Sequence, residues 1–253
     1  MTAPIPSIRQ AVGLAYRDLK AVADAMPWLT IMALALMIMF DTLIELQTPR
    51  GPGDTMALPL VIFVIGLVQT LLLTPYLVAV HRFLILGEAA GHYVFAPREP
   101  RNQLYFLWWA FFSVVAVAPV FVPAVPASAE TARALTGVLV LVYFIVVMIA
   151  GLRLTTLFPA IAVDAPGATW RNAVADTKGY VWRIFLIGVS AFLPVMVLGA
   201  LAQGLAGVSP TLLITLVLSI FDGIVGFVTV TLFVAIASRL YQWLGDNVKR
   251  PTT

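Results

Sequence analysis

The stretch TGVLVLVYFIVVMIAGLRLTTLFPAIAV, residues 136–163, contains a single charged side chain, Arg153. A helix that crosses the ~30 Å hydrocarbon core of a bilayer needs about 20 consecutive apolar residues, and this run exceeds that length. Because lipid offers no hydrogen-bond partners, a backbone that crosses it must satisfy its own polar groups, as a helix does. The stretch therefore predicts a transmembrane helix.

The rest of the chain repeats this pattern. Of its 253 residues, 61% are hydrophobic and only 11% are charged, whereas an average soluble domain is about 25% charged. Apolar runs of transmembrane length occupy residues 27–46, 58–86, 104–127, 136–163, 184–208 and 212–243. The segments between them are short and leave no room for a soluble catalytic domain. We predict an all-α polytopic membrane protein, a single integral membrane domain over residues 1–253 with six transmembrane helices.

The residue inventory excludes several kinds of site. Cysteine is absent, which excludes disulfides and thiolate metal sites. His81 and His92 are the only histidines, and we interpret them as two interfacial side chains rather than a metal centre. Charged residues fill the segment before the first apolar run, so we expect no cleaved signal peptide. We also expect no cofactor and no nucleic-acid partner.

The basic residues predict the orientation. In a six-span topology, only Arg50 and Arg133 fall on one side of the membrane. The other side carries Arg9, Arg17, Lys20, Arg82, Arg98, Arg101, Arg171, Lys178, Arg183, Arg239, Lys249 and Arg250. Because cytoplasmic loops are enriched in Lys and Arg, we predict a bacterial inner-membrane protein whose N- and C-termini both lie in the cytoplasm. The net charge of +3 then follows from topology.

Two segments outside the apolar runs have amphipathic character. Between residues 8 and 26, apolar side chains recur at steps of three and four, which predicts a helix lying on the cytoplasmic surface. The segment TWRNAVADTKGYVWR, residues 169–183, predicts a shorter helix of the same kind. Thr169 is placed to cap its start, and Gly179 can end it.

A nine-residue pattern occurs more than once. TLFPAIAVD (156–164) shares six positions with TLFVAIASR (231–239), and TPYLVAVHR (74–82) is a weaker third copy. Thr74, Thr156 and Thr231 take equivalent places near the ends of the even-numbered spans. We predict a pseudo-threefold repeat of helix pairs, in units 1–88, 89–165 and 166–246, with parallel copies around an axis along the membrane normal. The alternative is chance resemblance among helix ends of similar composition.

The stretch RLTTLFPAIAVDAPGATWRNAVADTKGYVWRIFLIGV, residues 153–189, resembles a signature of a bacterial membrane family. It consists of an arginine, a helix end with Pro-Ala and an acidic residue, a short helix, and Lys-Gly with Trp-Arg at the start of the next span. Members include the membrane domain joined to some glycerophosphodiester phosphodiesterases and free-standing six-helix proteins of the inner membrane. The resemblance implies the membrane fold only, because the phosphodiesterase chemistry belongs to a separate soluble barrel.

Ionisable residues within the predicted hydrocarbon region are candidate functional residues by default. Asp222 lies near the middle of the last span, and Arg153 lies in the fourth, nearer the cytoplasm. One interpretation makes Asp222 a proton or substrate site, approached past Gly223 and Gly226. The other makes Arg153 and Asp222 a buried ion pair and the two glycines a packing face. We favour the second because few other polar residues lie deep in the membrane.

Three classes of function follow from these observations. The first is a non-enzymatic accessory or scaffold protein that binds membrane lipids, other membrane proteins or a second copy of itself. The second is a small transporter or lipid-handling permease with a central site near Asp222. The third, an intramembrane enzyme, ranks last because no cluster of His, Asp, Glu or Ser converges at one depth.

Overall fold

The computed structural model describes residues 6–47, 57–121, 130–206 and 212–250. Within these residues the secondary structure is all helical, without a strand. A short 3₁₀ helix occupies Ala118–Phe121. The α-helices of the described residues are α1 Ile8–Ala25, α2 Pro27–Gln47, α3 Ala57–Leu86, α4 Pro100–Val117, α5 Glu130–Arg153, α6 Leu157–Ala162, α7 Trp170–Asp176, α8 Val181–Ala206 and α9 Leu212–Leu244.

Five of these helices are long and apolar enough to cross a membrane, as expected of a multi-pass membrane protein. They are α2, α3, α5, α8 and α9, with apolar spans at Pro27–Leu46, Pro59–Leu86, Leu135–Arg153, Val181–Ala202 and Leu216–Leu244. The predicted third span, 104–127, corresponds to α4. This helix begins earlier, at Pro100, so that its first turn holds the polar residues Arg101, Asn102 and Gln103. Residues 122–129 lie outside the described residues, so the sixth span stays a prediction.

The fourth apolar run is two helices, which corrects the expectation of one helix over 136–163. Helix α5 ends at Arg153, and a turn separates it from α6. Pro159 accounts for the break, because it has no N–H to donate to the carbonyl of Thr155 four residues earlier. In α6 this proline occupies the first turn, where a missing donor has little effect. At the break, the Thr155 hydroxyl donates to the Leu152 carbonyl at 2.9 Å.

Helix α1 is amphipathic, as predicted, but protein covers its apolar face. Ala11, Ala15 and Val22 are buried, and the helix packs against α8 and α9. Ser7 begins it with a capping box, in which the Ser7 side chain and the Gln10 side chain each bond the other residue's backbone N–H. The expected bilayer-facing stripe is therefore an internal contact of the bundle.

The three segments of the predicted repeat meet in the core. Helices α3, α6 and α9 contact one another pairwise, and each contributes to one apolar core. Thr74, Thr156 and Thr231 are all buried there. The three similar sequences thus meet in space, while their threefold relation and the division into units 1–88, 89–165 and 166–246 stay predictions.

Candidate functional site

Asp222 lies where α9 packs closely against α2. A Cβ atom on Gly223 would come within 2.6 Å of the Ile38 Cα atom, and one on Gly226 within 2.7 Å of the Met37 Cε atom. At Gly223 the neighbour is backbone, so only glycine allows the two helices this approach, whereas the end of the Met37 side chain near Gly226 can move. Both glycines lie in the α2–α9 packing face, as the second interpretation of the sequence proposed.

A second carboxylate faces Asp222 across this contact. Asp41 of α2 interacts electrostatically with Asp222 and forms a hydrogen bond with Gln69 of α3. The Gln69 amide also lies 3.3 Å from the Met37 sulfur. Three helices therefore bring together two acidic side chains and one amide. Sequence reasoning did not place Asp41 beside Asp222, because the sequence of a helix does not reveal which neighbour it will contact.

Arg153 lies in different surroundings. It is the last residue of α5, and its guanidinium donates to the Val174 carbonyl on α7 at 3.4 Å. Its own carbonyl accepts from the Thr177 hydroxyl at 2.9 Å. The ion pairs among the described residues do not join Arg153 to Asp222. The pairing stays a prediction that the contacts of Arg153 do not support.

The three repeat-related threonines differ in their hydrogen bonds. Thr231 accepts from the Tyr76 hydroxyl at 3.0 Å and donates to the Phe227 carbonyl. Thr74 donates to the Thr70 carbonyl within α3. Thr156 is buried, and its hydroxyl has no hydrogen-bond partner. Thr231 alone therefore connects two of the repeat segments, through a residue of the weaker copy.

His81 is fully buried, which corrects the expectation of an interfacial side chain. Its Nδ1 atom lies 2.7 Å from the Ser238 hydroxyl and its Nε2 atom 3.1 Å from the Tyr105 hydroxyl. Because Ser238 already donates to the Val234 carbonyl, it accepts from His81 rather than giving up its proton. A catalytic base requires the reverse direction. The cluster instead ties α3, α4 and α9 together, whereas His92 is exposed in the loop after α3.

A charge cluster surrounds Asp164, just after the C-terminal end of α6. Its carboxylate lies 3.3 Å from an Arg82 nitrogen and 3.0 Å from an Arg101 nitrogen. Arg82 also pairs with Glu88, and Arg101 with Glu99. The hydrogen bond that the Arg101 guanidinium donates to the Glu99 carboxylate raises the pKa of Arg101. The sequence analysis used Arg82 and Arg101 only as topology signals, although Asp164 stands as the acidic residue of the family-like signature.

Two cavities open beside this cluster, between α3 and α4. One, of about 200 Å³, has mostly apolar walls, and the other, of about 270 Å³, includes the charged side chains. Pro75 and Asn102 line both. In the described parts of the chain, His, Asp and Glu side chains do not gather in a group of three or more suited to a metal ion.

Comparison with known proteins assigns no relative. The chain matches no family model, and no curated protein or solved structure is significantly similar to it.

Proposed function

We propose that the protein is a non-enzymatic accessory or scaffold protein of the bacterial inner membrane, which binds lipids and membrane-protein partners or a second copy of itself. The observation that supports this most strongly is the surface of α5. None of the residues in the apolar window of Leu135–Arg153 is buried, whereas 44% of the window in Leu216–Leu244 is. A span with so few contacts in its own chain presents most of its surface to lipid or to another protein.

The closed packing at Asp222 supports the same choice. A substrate site needs room beside its polar groups. Gly223 instead brings the backbones of α2 and α9 into contact, and the two cavities between α3 and α4 do not include Asp222. The centre of the α2–α9 contact therefore has the character of a packed core.

The proposed topology has six crossings, cytoplasmic termini and three helix pairs. Helix α4 is the sixth crossing. Its 18 residues extend ~27 Å as an α-helix, and the 3₁₀ helix that follows lengthens it. It packs beside α3 and α5, and the Tyr143 hydroxyl of α5 contacts the Val115 carbonyl near its end. The resemblance of residues 153–189 to the six-helix membrane family supports the same arrangement.

Site-specific crosslinking in cells tests the scaffold proposal. A photoreactive amino acid at Val142 or Val146, both exposed on α5, should give discrete protein adducts. Met196 on α8 is equally apolar and exposed and provides the control position. Identical adduct patterns at all three positions would count against a specific partner surface on α5.

Transport is a second candidate, and one observation favours it. Asp41, Gln69 and Asp222 form a polar cluster contributed by three spans, as proton-coupled transporters have. Purified protein in liposomes loaded with a pH-sensitive dye distinguishes the two proposals. Proton flux above that of protein-free liposomes, abolished by Asp222→Asn, would favour the transporter. Equal flux with and without protein is the result that the scaffold proposal expects.

A further inference from the structure

The smaller cavity between α3 and α4 is built like a lipid-binding slot. Its walls are mostly apolar, and two of its lining residues, Phe95 and Leu107, have exposed side chains. The cavity therefore communicates with the surface of the bundle rather than being enclosed. Residues Leu71, Ala96, Pro97 and Phe106 complete the apolar lining.

Asn102 supplies an unused hydrogen-bond acceptor in this lining. Its side-chain Nδ2 group donates to the Ala96 carbonyl at 3.0 Å and to the Glu99 carboxylate at 3.4 Å. These two acceptors fix the orientation of the amide, because a flipped amide would place oxygen against oxygen. The Oδ1 atom is left buried without a partner in a residue that is only 6% exposed. A buried acceptor without a partner is costly, so a ligand that donates to it is favoured.

Pro75 supplies a second acceptor. It lies inside α3 and has no N–H, so the Leu71 carbonyl one turn earlier loses its usual helical donor. Leu71 and Pro75 both line the apolar cavity. Two acceptors in apolar surroundings fit a ligand that has an apolar body and at least one N–H or O–H group.

The neighbouring cavity indicates the charge of that ligand. It shares Pro75 and Asn102 with the apolar one, and its charged lining residues are Arg82, Arg101, Glu88 and Glu99. Asp164, which contacts both arginines from beside the cavity, adds a third carboxylate, so the pocket has no excess positive charge and favours a zwitterionic group with an ammonium over an anion. An apolar slot and a charged pocket that meet at Asn102 match the two ends of a phospholipid.

We propose that these adjacent cavities bind one phospholipid with a primary ammonium headgroup, phosphatidylethanolamine. Its acyl chain lies along Phe106 and Leu107, its phosphate lies near Arg82 and Arg101, and its ammonium donates to the Asn102 Oδ1 atom. Phosphatidylcholine has the same charges, but its bulkier trimethylammonium has no N–H to donate. This inference rests on the lipid-binding part of the proposed function and specifies the lipid and the place.

Native mass spectrometry of the purified full-length chain tests it, with phosphatidylethanolamine and phosphatidylcholine of identical acyl chains added in equal amounts. One hydrogen bond to a buried acceptor predicts about a five- to tenfold preference for phosphatidylethanolamine. Asn102→Leu should abolish the preference. Ser190→Leu, at a polar residue exposed on α8 outside both cavities, is the control and should retain it.

A second variant tests the inference even if the Asn102→Leu protein does not fold. Pro75→Ala gives the Leu71 carbonyl its helical donor again, so the preference should fall while the helix becomes more stable. Equal retention of the two lipids by the unmodified chain would overturn the inference, as would an unchanged preference in both Asn102→Leu and Pro75→Ala. If the lipid preference is absent while the α5 crosslinks persist, this inference fails and the scaffold proposal stands. If the α5 crosslinks are absent while the lipid preference is retained, the scaffold proposal fails and this inference stands.

Discussion

Asp18 and Arg239 form a two-point ion pair between the first and last described helices. The Arg239 Nε atom lies 2.7 Å from one carboxylate oxygen of Asp18, and an Nη atom lies 2.6 Å from the other. Because the Asp18 side chain is only 7% exposed, water competes little with Arg239 for the carboxylate. The pair fixes α1 to α9, and the apolar residues of α1 then pack against the bundle.

The Asp18–Arg239 pair predicts unequal effects of two substitutions on one helix. Asp18→Ala should destabilise the folded protein by ~2 kcal/mol, because it leaves a partly buried guanidinium without its carboxylate. Asp24→Ala removes the exposed Lys20–Asp24 pair of the same helix and should cost less than about 0.5 kcal/mol. Thermal denaturation in detergent measures both. Equal costs would mean that Asp18 is solvated in the native protein.

Hydrogen bonds to Asp176 hold the C-terminal segment against the rest of the protein. This buried carboxylate accepts from the Asn247 backbone at 2.9 Å, from the Asn247 side chain at 2.6 Å and from the Val248 backbone at 3.1 Å. The Gly167 backbone also donates to the Val248 carbonyl at 3.1 Å. Asp176→Ala should therefore free the segment and accelerate tryptic cleavage after Lys249 by at least about tenfold, since local opening controls access.

Asp246→Ala provides the comparison for that experiment. Asp246 lies in the same C-terminal segment but is exposed, so its loss should leave the cleavage rate within about twofold. Rapid cleavage of both variants would indicate that the segment opens regardless of Asp176.

The glycines of α9 predict a steric effect. Gly223→Ala would place a Cβ atom 2.6 Å from the Ile38 Cα atom, and backbone cannot rotate away as a side chain can. We expect a loss of ~2 kcal/mol or more, seen as a lower melting temperature. Gly199→Ala in α8 places its Cβ atom 3.7 Å from Val225, so it should be neutral or stabilise by up to ~1 kcal/mol. A melting temperature unchanged by Gly223→Ala would show that α2 and α9 separate readily.

The absence of cysteine makes the orientation easy to test. Single cysteines at Ser7 and Ala168 should resist a membrane-impermeant thiol reagent in intact spheroplasts and react after lysis. A cysteine at Gly53, which lies outside the described residues, should react before lysis. Labelling of Ser7→Cys in intact spheroplasts would place the N-terminus outside the cytoplasm.

The sequence predicted the helices better than it predicted the contacts between them. Apolar runs identified α2, α3, α8 and α9, because hydropathy and length are local properties. Pro159 predicts a bend in the fourth apolar run, because it leaves a carbonyl without its helical donor. That the helix stops at Arg153 and begins again at Leu157 is seen only in the structure. The proximity of Asp41 to Asp222 depends on how α2 packs on α9. The local sequence of either helix does not reveal that packing. The buried acceptor of Asn102 was missed for the same reason.

The surroundings of Arg153 and Asp222 lead to a last prediction, about energetic coupling. The carboxyl groups of Asp41 and Asp222 interact electrostatically, so replacing either one should change the environment of the other. A double-mutant cycle of Asp41→Asn and Asp222→Asn should therefore give a coupling energy above about 0.5 kcal/mol. Arg153 binds the Val174 carbonyl instead, so the cycle of Arg153→Leu and Asp222→Asn should be additive within about 0.5 kcal/mol. Unfolding free energies of the six proteins, wild type included, provide both cycles. Strong coupling of Arg153 to Asp222 with none between the two aspartates would restore the ion pair first inferred from the sequence.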